Sequence, residues 1–292
     1  MSAPNQTQKN ELPGKTVLRR LAVYFIGMFI CALAGGCGGG ESNPTIETQY
    51  PIAILDANGI ASARAAAEIA VTCQQAAAAK LSEARTARVT EQEVVDAVKA
   101  AASAAGADAA WCYPPIVATG SDEILIHGDF TNDSTHAVAT DAIAFVDLAP
   151  RYHGICADVS RTYFFEPPTQ RMRDAFAAVT VALQAAAGSA APGVSATSLY
   201  NTMKNALEAS GGFGANMISI PGHGLSSVVH SGPFIYSGYN GTLAQNIVLA
   251  LEPSLIVDGS FRMHIEDDFL ITATGAVRLT TAPDVIEDMI LP

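Results

Sequence analysis

Five residues able to ligate a metal, Asp147, Asp158, His223, Glu252 and Glu266, each interrupt a short apolar segment in the second half of the chain. Asp147 lies in AFVDLAP, Asp158 in CADVSRTYFF, His223 in PGHGLSSVVH, Glu252 in LALEPSL and Glu266 in MHIEDDFLIT. Any fold that buries those apolar runs also buries the charges, and an unpaired carboxylate is costly in an apolar interior. A pair of divalent cations meets that requirement, because carboxylates can bridge two metals and one imidazole can complete the set. The pattern points to a core built around a two-metal centre and to hydrolytic chemistry.

With 292 residues and 49% apolar content, the chain can bury a sizeable core, which suits one catalytic domain behind an N-terminal extension. The net charge of −12 argues against a nucleic-acid surface, which needs a basic patch. Lys15, Arg19 and Arg20 precede an apolar run at 21–33, followed by Ala34, Gly35, Gly36 and Cys37. This resembles a bacterial lipoprotein signal, in which the cysteine becomes the lipidated first residue of the mature chain. The expected organisation is a signal segment at 1–37, a flexible tether at 38–58 and a catalytic domain at 59–292, exported and anchored through a lipid on Cys37. The alternatives are a cleaved leader releasing a soluble periplasmic or secreted protein, and an uncleaved anchor, although the run falls short of the ~20 residues that span a bilayer core. Cys73, Cys112 and Cys156 show no C-x-x-C spacing, so a zinc ribbon or thioredoxin-type site is unsupported, and any disulfide pairing is open.

An Ala-rich stretch at 62–80 predicts a helix, and Thr90-Glu91-Gln92-Glu93 opens a second with a capping-box pattern. Apolar runs at 116–118, 124–126, 142–146 and 157–165 read as strands. Helices follow at 170–187 and 196–209, then strands at 247–251, 254–257, 268–272 and 276–279. Helices, strands, helices, strands suggests two similar halves around one sheet.

Several motifs occur together and in order: His127 in ILIHGD, Asp147 and Asp158 in VDLAPRYHGICADVSRTY, GHGLSSVVH from Gly222 to His230, LEPSL around Glu252 and IEDDFLIT around Glu266. The aspartates are eleven positions apart and His223 and His230 seven. Over residues 60–290 the chain thereby resembles the pita-bread metallopeptidase family, which includes Xaa-Pro aminopeptidases, prolidases and methionine aminopeptidases. ADVSRTYFF is nearest the Xaa-Pro branch. The resemblance implies an α+β pita-bread fold, with two α/β halves about a curved antiparallel sheet. It also implies two divalent metal ions, manganese first, with cobalt, zinc or iron as alternatives. Asp147 would chelate one ion, Asp158 and Glu266 would bridge both, and His223 and Glu252 would hold the other. Glu252 would also shuttle a proton to the leaving nitrogen, and His127 and His230 would stabilise the transition state.

Among the remaining groups, Asp267 is expected to support the ligands rather than bind metal, His153 to sit in a surface turn, and Cys156 to pack. Three positions depart from the family pattern: Ser226 replaces a Gly, Ser231 an acidic residue, and His264 an Arg. Ser231-Gly232-Pro233-Phe234 also lacks the Arg that clamps the carboxylate of a free dipeptide. The N-terminal domain that precedes the catalytic fold in many relatives is not expected between Cys37 and the first helix. The expected activity is removal of the first residue of small peptides, with Xaa-Pro the favoured bond. A methionine aminopeptidase, a non-peptidase hydrolase or lyase, and a silent binding module are the rivals. Oligomeric state is not legible.

Overall fold

Helix α1 (Ala57–Glu83) starts where Asp56 accepts a hydrogen bond from the backbone N–H of Gly59 at 2.7 Å, and it buries a face of small residues including Ala63, Ala66, Ala67 and Ala70. In this computed structural model, residues 50–120, 136–141, 143–239, 241–257 and 259–292 are described. The expected signal segment, most of the tether, the 124–126 strand and His127 lie outside them. Among the described residues no helix is long and apolar enough to cross a membrane.

The capping box at Thr90 forms as expected: its side chain accepts from the Glu93 N–H, and Glu93 accepts from the Thr90 N–H at 2.7 Å, opening α2 (Glu91–Ala104). Three antiparallel strands follow in the order β1 (Tyr113–Thr119), β2 (Ile143–Ala149), β5 (Val159–Phe164). Between β2 and β5 sits a two-stranded hairpin, β3 (Arg151–Tyr152) and β4 (Ile155–Cys156). Its turn contains His153 at φ 47, exposed as expected. Helices α3 (Gln170–Ser189) and α4 (Ala196–Ala209) lie close to their predicted ranges and pack on each other. Leu199, Met203 and Leu207 form the buried stripe of α4 at four-residue spacing.

The second sheet has four antiparallel strands, ordered β11 (Ala276–Arg278), β10 (Asp267–Ile271), β7 (Val248–Leu251), β6 (Gly222–Leu225), and β8 (Leu255–Val257) and β9 (Phe261–Met263) form a separate hairpin. The two sheets abut where the backbone N–H of Glu266 donates to the carbonyl of Ser160 at 3.1 Å. Helix α1 covers both. Ala63 and Ala67 pack with Leu225, Val248, Ala250 and Leu270, while Ala66 and Ala70 pack with Ala157 and Val159. Alanine side chains let the helix lie close to the strands over that junction.

One glycine is required by close approach. A Cβ on Gly224 would stand 2.1 Å from the Gly232 carbonyl oxygen, so only glycine lets the 226–232 loop fold back on β6.

Candidate metal centre

The five ligand candidates arrive from both sheets. Asp147 is on β2, Asp158 immediately precedes β5, His223 is on β6, Glu252 follows β7 and Glu266 precedes β10. All are 3% or less exposed. The His223 Nε2 lies 3.7 Å from Asp158 Oδ2, 3.7 Å from Glu252 Oε1 and 3.8 Å from Glu266 Oε1. Those separations are long for hydrogen bonds. They suit atoms that share a cation at ligand distances of about 2.0–2.2 Å.

The hydrogen bonding around these groups fits the same conclusion. The Tyr113 hydroxyl contacts Asp147 Oδ1 closely and lies 2.6 Å from Asp158 Oδ1. A phenol has one proton to donate, so it serves one carboxylate at a time. Ser160 stands opposite Asp147 in the β2–β5 register, and its hydroxyl donates to Glu266 Oε2 at 2.7 Å. Glu252 Oε2 and Glu266 Oε1 are buried with no hydrogen-bond partner among the described residues. Glu266 Oε1, facing His223 Nε2 inside the buried acidic cluster, fits a divalent cation as its missing partner.

The electrostatics of the cluster run in one direction. Burial first, then repulsion from Asp147, holds Asp158 well above the usual carboxylate range. Burial followed by Asp158, Glu252 and Asp147 does the same to Glu266. Glu252 is pushed up to about 8 by burial and Asp147, partly offset by Arg262. Burial also raises Asp147, against hydrogen bonding from Tyr113. Bound cations would reverse these directions by favouring the ionised forms.

Of the two histidines expected outside the ligand set, His230 is exposed beside the centre, its ring 4.5 Å from that of His223 in a T-shaped contact. His127 lies outside the described residues, while His136 pairs with Glu91 at 3.2 Å, away from the ligands. Asp267 is bound by Arg161 Nη2 at 2.8 Å and Arg278 Nη2 at 2.7 Å, and Arg161 donates in turn to the Glu266 carbonyl at 2.7 Å. It therefore supports Glu266 through one intermediary. Cys156 does more than pack, since it forms a disulfide with Cys112, one residue before Tyr113, while Cys73 remains a buried thiol. Tyr113, Ser160, Asp268, whose carboxylate accepts from the Asp158 N–H at 3.1 Å, and the contacts of His264 were not singled out as site groups from sequence. Only Ser160 carried a local signal, being two positions from Asp158 and so on the same strand face.

The sequence profile described as Metallopeptidase family M24 matches residues 61–273. Among curated proteins, the chain is 28% identical over 235 residues to the Xaa-Pro dipeptidase of Pyrococcus furiosus, covering 80% of this chain and 63% of that one. Among solved structures, it resembles prolidase from Pyrococcus furiosus, with TM-score 0.71 and 26% identity over 79% of this chain and 66% of that one. It also resembles an X-Pro aminopeptidase from Thermotoga maritima, with TM-score 0.71 and 25% identity over 81% and 64%. The chain spans less than two thirds of the length of each of these relatives.

Proposed function

The chain belongs to metallopeptidase family M24 and has its pita-bread fold, and from that premise we propose that it is a dinuclear metal-dependent aminopeptidase. It hydrolyses the N-terminal peptide bond of small peptides, with Xaa-Pro favoured. The observation that carries this reading is the convergence of four carboxylates and His223 in one buried cluster, with an orphaned oxygen on Glu266.

Asp147, Asp158, His223, Glu252 and Glu266 would hold the metals, with manganese favoured by a donor set of carboxylates and one imidazole. Bound divalent cations supply Lewis acidity and lower the pKa of water. Glu252 accepts the proton of the attacking water and delivers it to the leaving nitrogen, a role suited to a carboxylate in this position. His230, exposed and in ring contact with His223, would donate to the developing oxyanion, and His127 is assigned the companion role. The absence of a basic residue in Ser231-Gly232-Pro233-Phe234 favours peptides longer than a free dipeptide.

Export and lipid anchoring through Cys37 complete the proposal. The Cys112–Cys156 disulfide supports it, because such bonds persist in oxidising compartments.

The test is hydrolysis of Xaa-Pro-Yaa tripeptides and Xaa-Pro dipeptides by the full chain, with wild type, Glu252→Ala and chelator-treated protein compared. The expected result is tripeptide cleavage dependent on both metal and Glu252. Preference for dipeptides would replace the aminopeptidase assignment with a dipeptidase. Metal binding without peptide cleavage would point to another substrate class, and no metal binding to a silent module.

A further inference from the structure

Arg262 on β9 and His264 just after it are both fully buried. A buried guanidinium needs partners, and here they bracket the proposed proton carrier. Arg262 Nε donates to the Ser254 hydroxyl at 3.3 Å, two residues beyond Glu252, and its Nη2 lies 2.7 Å from His264 Nδ1. Phe145, two positions before Asp147 on β2, supports both groups. The guanidinium carbon lies 4.1 Å from its ring centroid, and the His264 ring stacks on it at 5.2 Å with planes 15° apart.

These contacts determine which His264 nitrogen carries the proton. A guanidinium only donates, so Nδ1 must accept, and the neutral imidazole carries its hydrogen on Nε2. That nitrogen lies 3.2 Å from Glu252 Oε2 and 3.8 Å from Glu266 Oε2, the shorter approach being within reach of a hydrogen bond but not aligned as one. Glu252, His264 and Glu266 are near enough together to be taken for a metal-binding trio. A protonated Nε2 has no lone pair to offer a cation. Glu252 is thus flanked on two sides: Oε1 faces His223 at 3.7 Å within the ligand cluster, and Oε2 faces His264.

We propose that Arg262 and His264 form a positioning pair for Glu252: Arg262 fixes the His264 tautomer, and the His264 Nε2–H is the donor that Oε2 takes on a small realignment, leaving Oε1 to the ligand cluster. His264 is a hydrogen-bond donor to a ligand rather than a sixth ligand. The effect on turnover rests on the peptidase reading, whereas the tautomer and the ligand count do not.

The test uses the full chain as wild type, His264→Phe, His264→Gln, Arg262→Met and the Arg262→Met/His264→Phe double variant. Phenylalanine keeps the stack on Phe145 without a donor, and glutamine restores an N–H. Loss of an outer partner of a metal ligand costs about 10–100-fold, so His264→Phe should lower kcat on that scale with KM little changed. His264→Gln should recover most of the loss, and the double variant should lose no more than the worse single one. Calorimetric titration with manganese should show the same number of ions bound to wild type and His264→Phe. Long-range 1H–15N correlation of the histidine rings, metal-free and zinc-loaded, should show His264 protonated on Nε2 in both, and mixed tautomers in Arg262→Met. A lower metal count in His264→Phe, or a zinc-bound Nε2, would make His264 a ligand and overturn the proposal. Additive losses in the double variant would also overturn it, as independent structural effects. If wild type cleaves no peptide, the peptidase reading fails, while the ring spectra and metal count still decide the positioning pair.

Discussion

Asp147 and Asp158, supplied by the three-stranded sheet, stand against the Tyr113 hydroxyl, and the Asp158 backbone is tied to Asp268. Glu252 and Glu266, supplied by the four-stranded sheet, each keep one buried oxygen without a hydrogen-bond partner among the described residues. The first half therefore orients its carboxylates with protein donors, while the second leaves Glu266 Oε1 to a cation or a proton and Glu252 Oε2 beside His264 Nε2, 3.2 Å away but not aligned as a hydrogen bond. Ser160 bridges this difference by reaching from the first sheet to Glu266. The site is organised by one half and completed by what binds to the other.

The largest effect expected from breaking this asymmetry is Glu266→Ala, which removes the carboxylate that meets both halves. Peptidase activity should fall roughly 10²–10⁴-fold, and metal titration should show fewer ions bound. Unchanged metal binding would mean that the second half is not the side completed by cations.

A pH series sharpens the same contrast. Glu252 in the folded, metal-free chain has a pKa of about 8 against an ordinary 4.5, so between those values the folded state holds a proton that the unfolded state has released. Stability contributed by that proton is lost as pH rises. Melting temperature with chelator present should therefore fall from about pH 5 to about pH 8, and saturating manganese should flatten or reverse the slope. A chelated protein with no such slope would show that the protein neutralises these carboxylates by itself.

Within the first half, replacing Cys112 and Cys156 together by serine should cost about 2–4 kcal/mol of stability, read by denaturant unfolding. An unchanged midpoint would show that this half does not depend on its covalent staple. Tyr113→Phe should weaken metal affinity about 10–100-fold with the fold retained, because the donor shared by Asp147 and Asp158 is lost. Equal affinity would show that those carboxylates need no preorganisation. The smallest effect belongs to Thr90→Ala, which removes a cap far from the ligands and should cost about 1 kcal/mol with metal affinity unchanged.

The ligands were legible because each is a single charge inside an apolar run, and such runs form buried strands, as all seven buried positions of β2 illustrate. The α4 range was legible from the Pro192-Gly193 break and the four-residue apolar spacing. Strand β6, which carries His223, was not, because Gly222 and Gly224 dilute its strand propensity. It is specified instead by its pairing with β7 and the close approach of Gly232. Tyr113, Asp268 and Arg262 have no local signature. Each acquires its role from a register or a crossing set by distant parts of the chain, as Tyr113 does by pairing opposite Ala149. The Cys112–Cys156 pairing spans 44 positions and depends on the same long-range folding.

That disulfide also gives the molecule a covalent topology different from a simple line. Tyr113 and Asp147 lie inside the ring closed by Cys112 and Cys156, and Asp158 lies two residues beyond it. A protease cut between those cysteines would leave both fragments joined through sulfur, so the nicked protein would keep its mass under non-reducing conditions and separate into two pieces only on reduction.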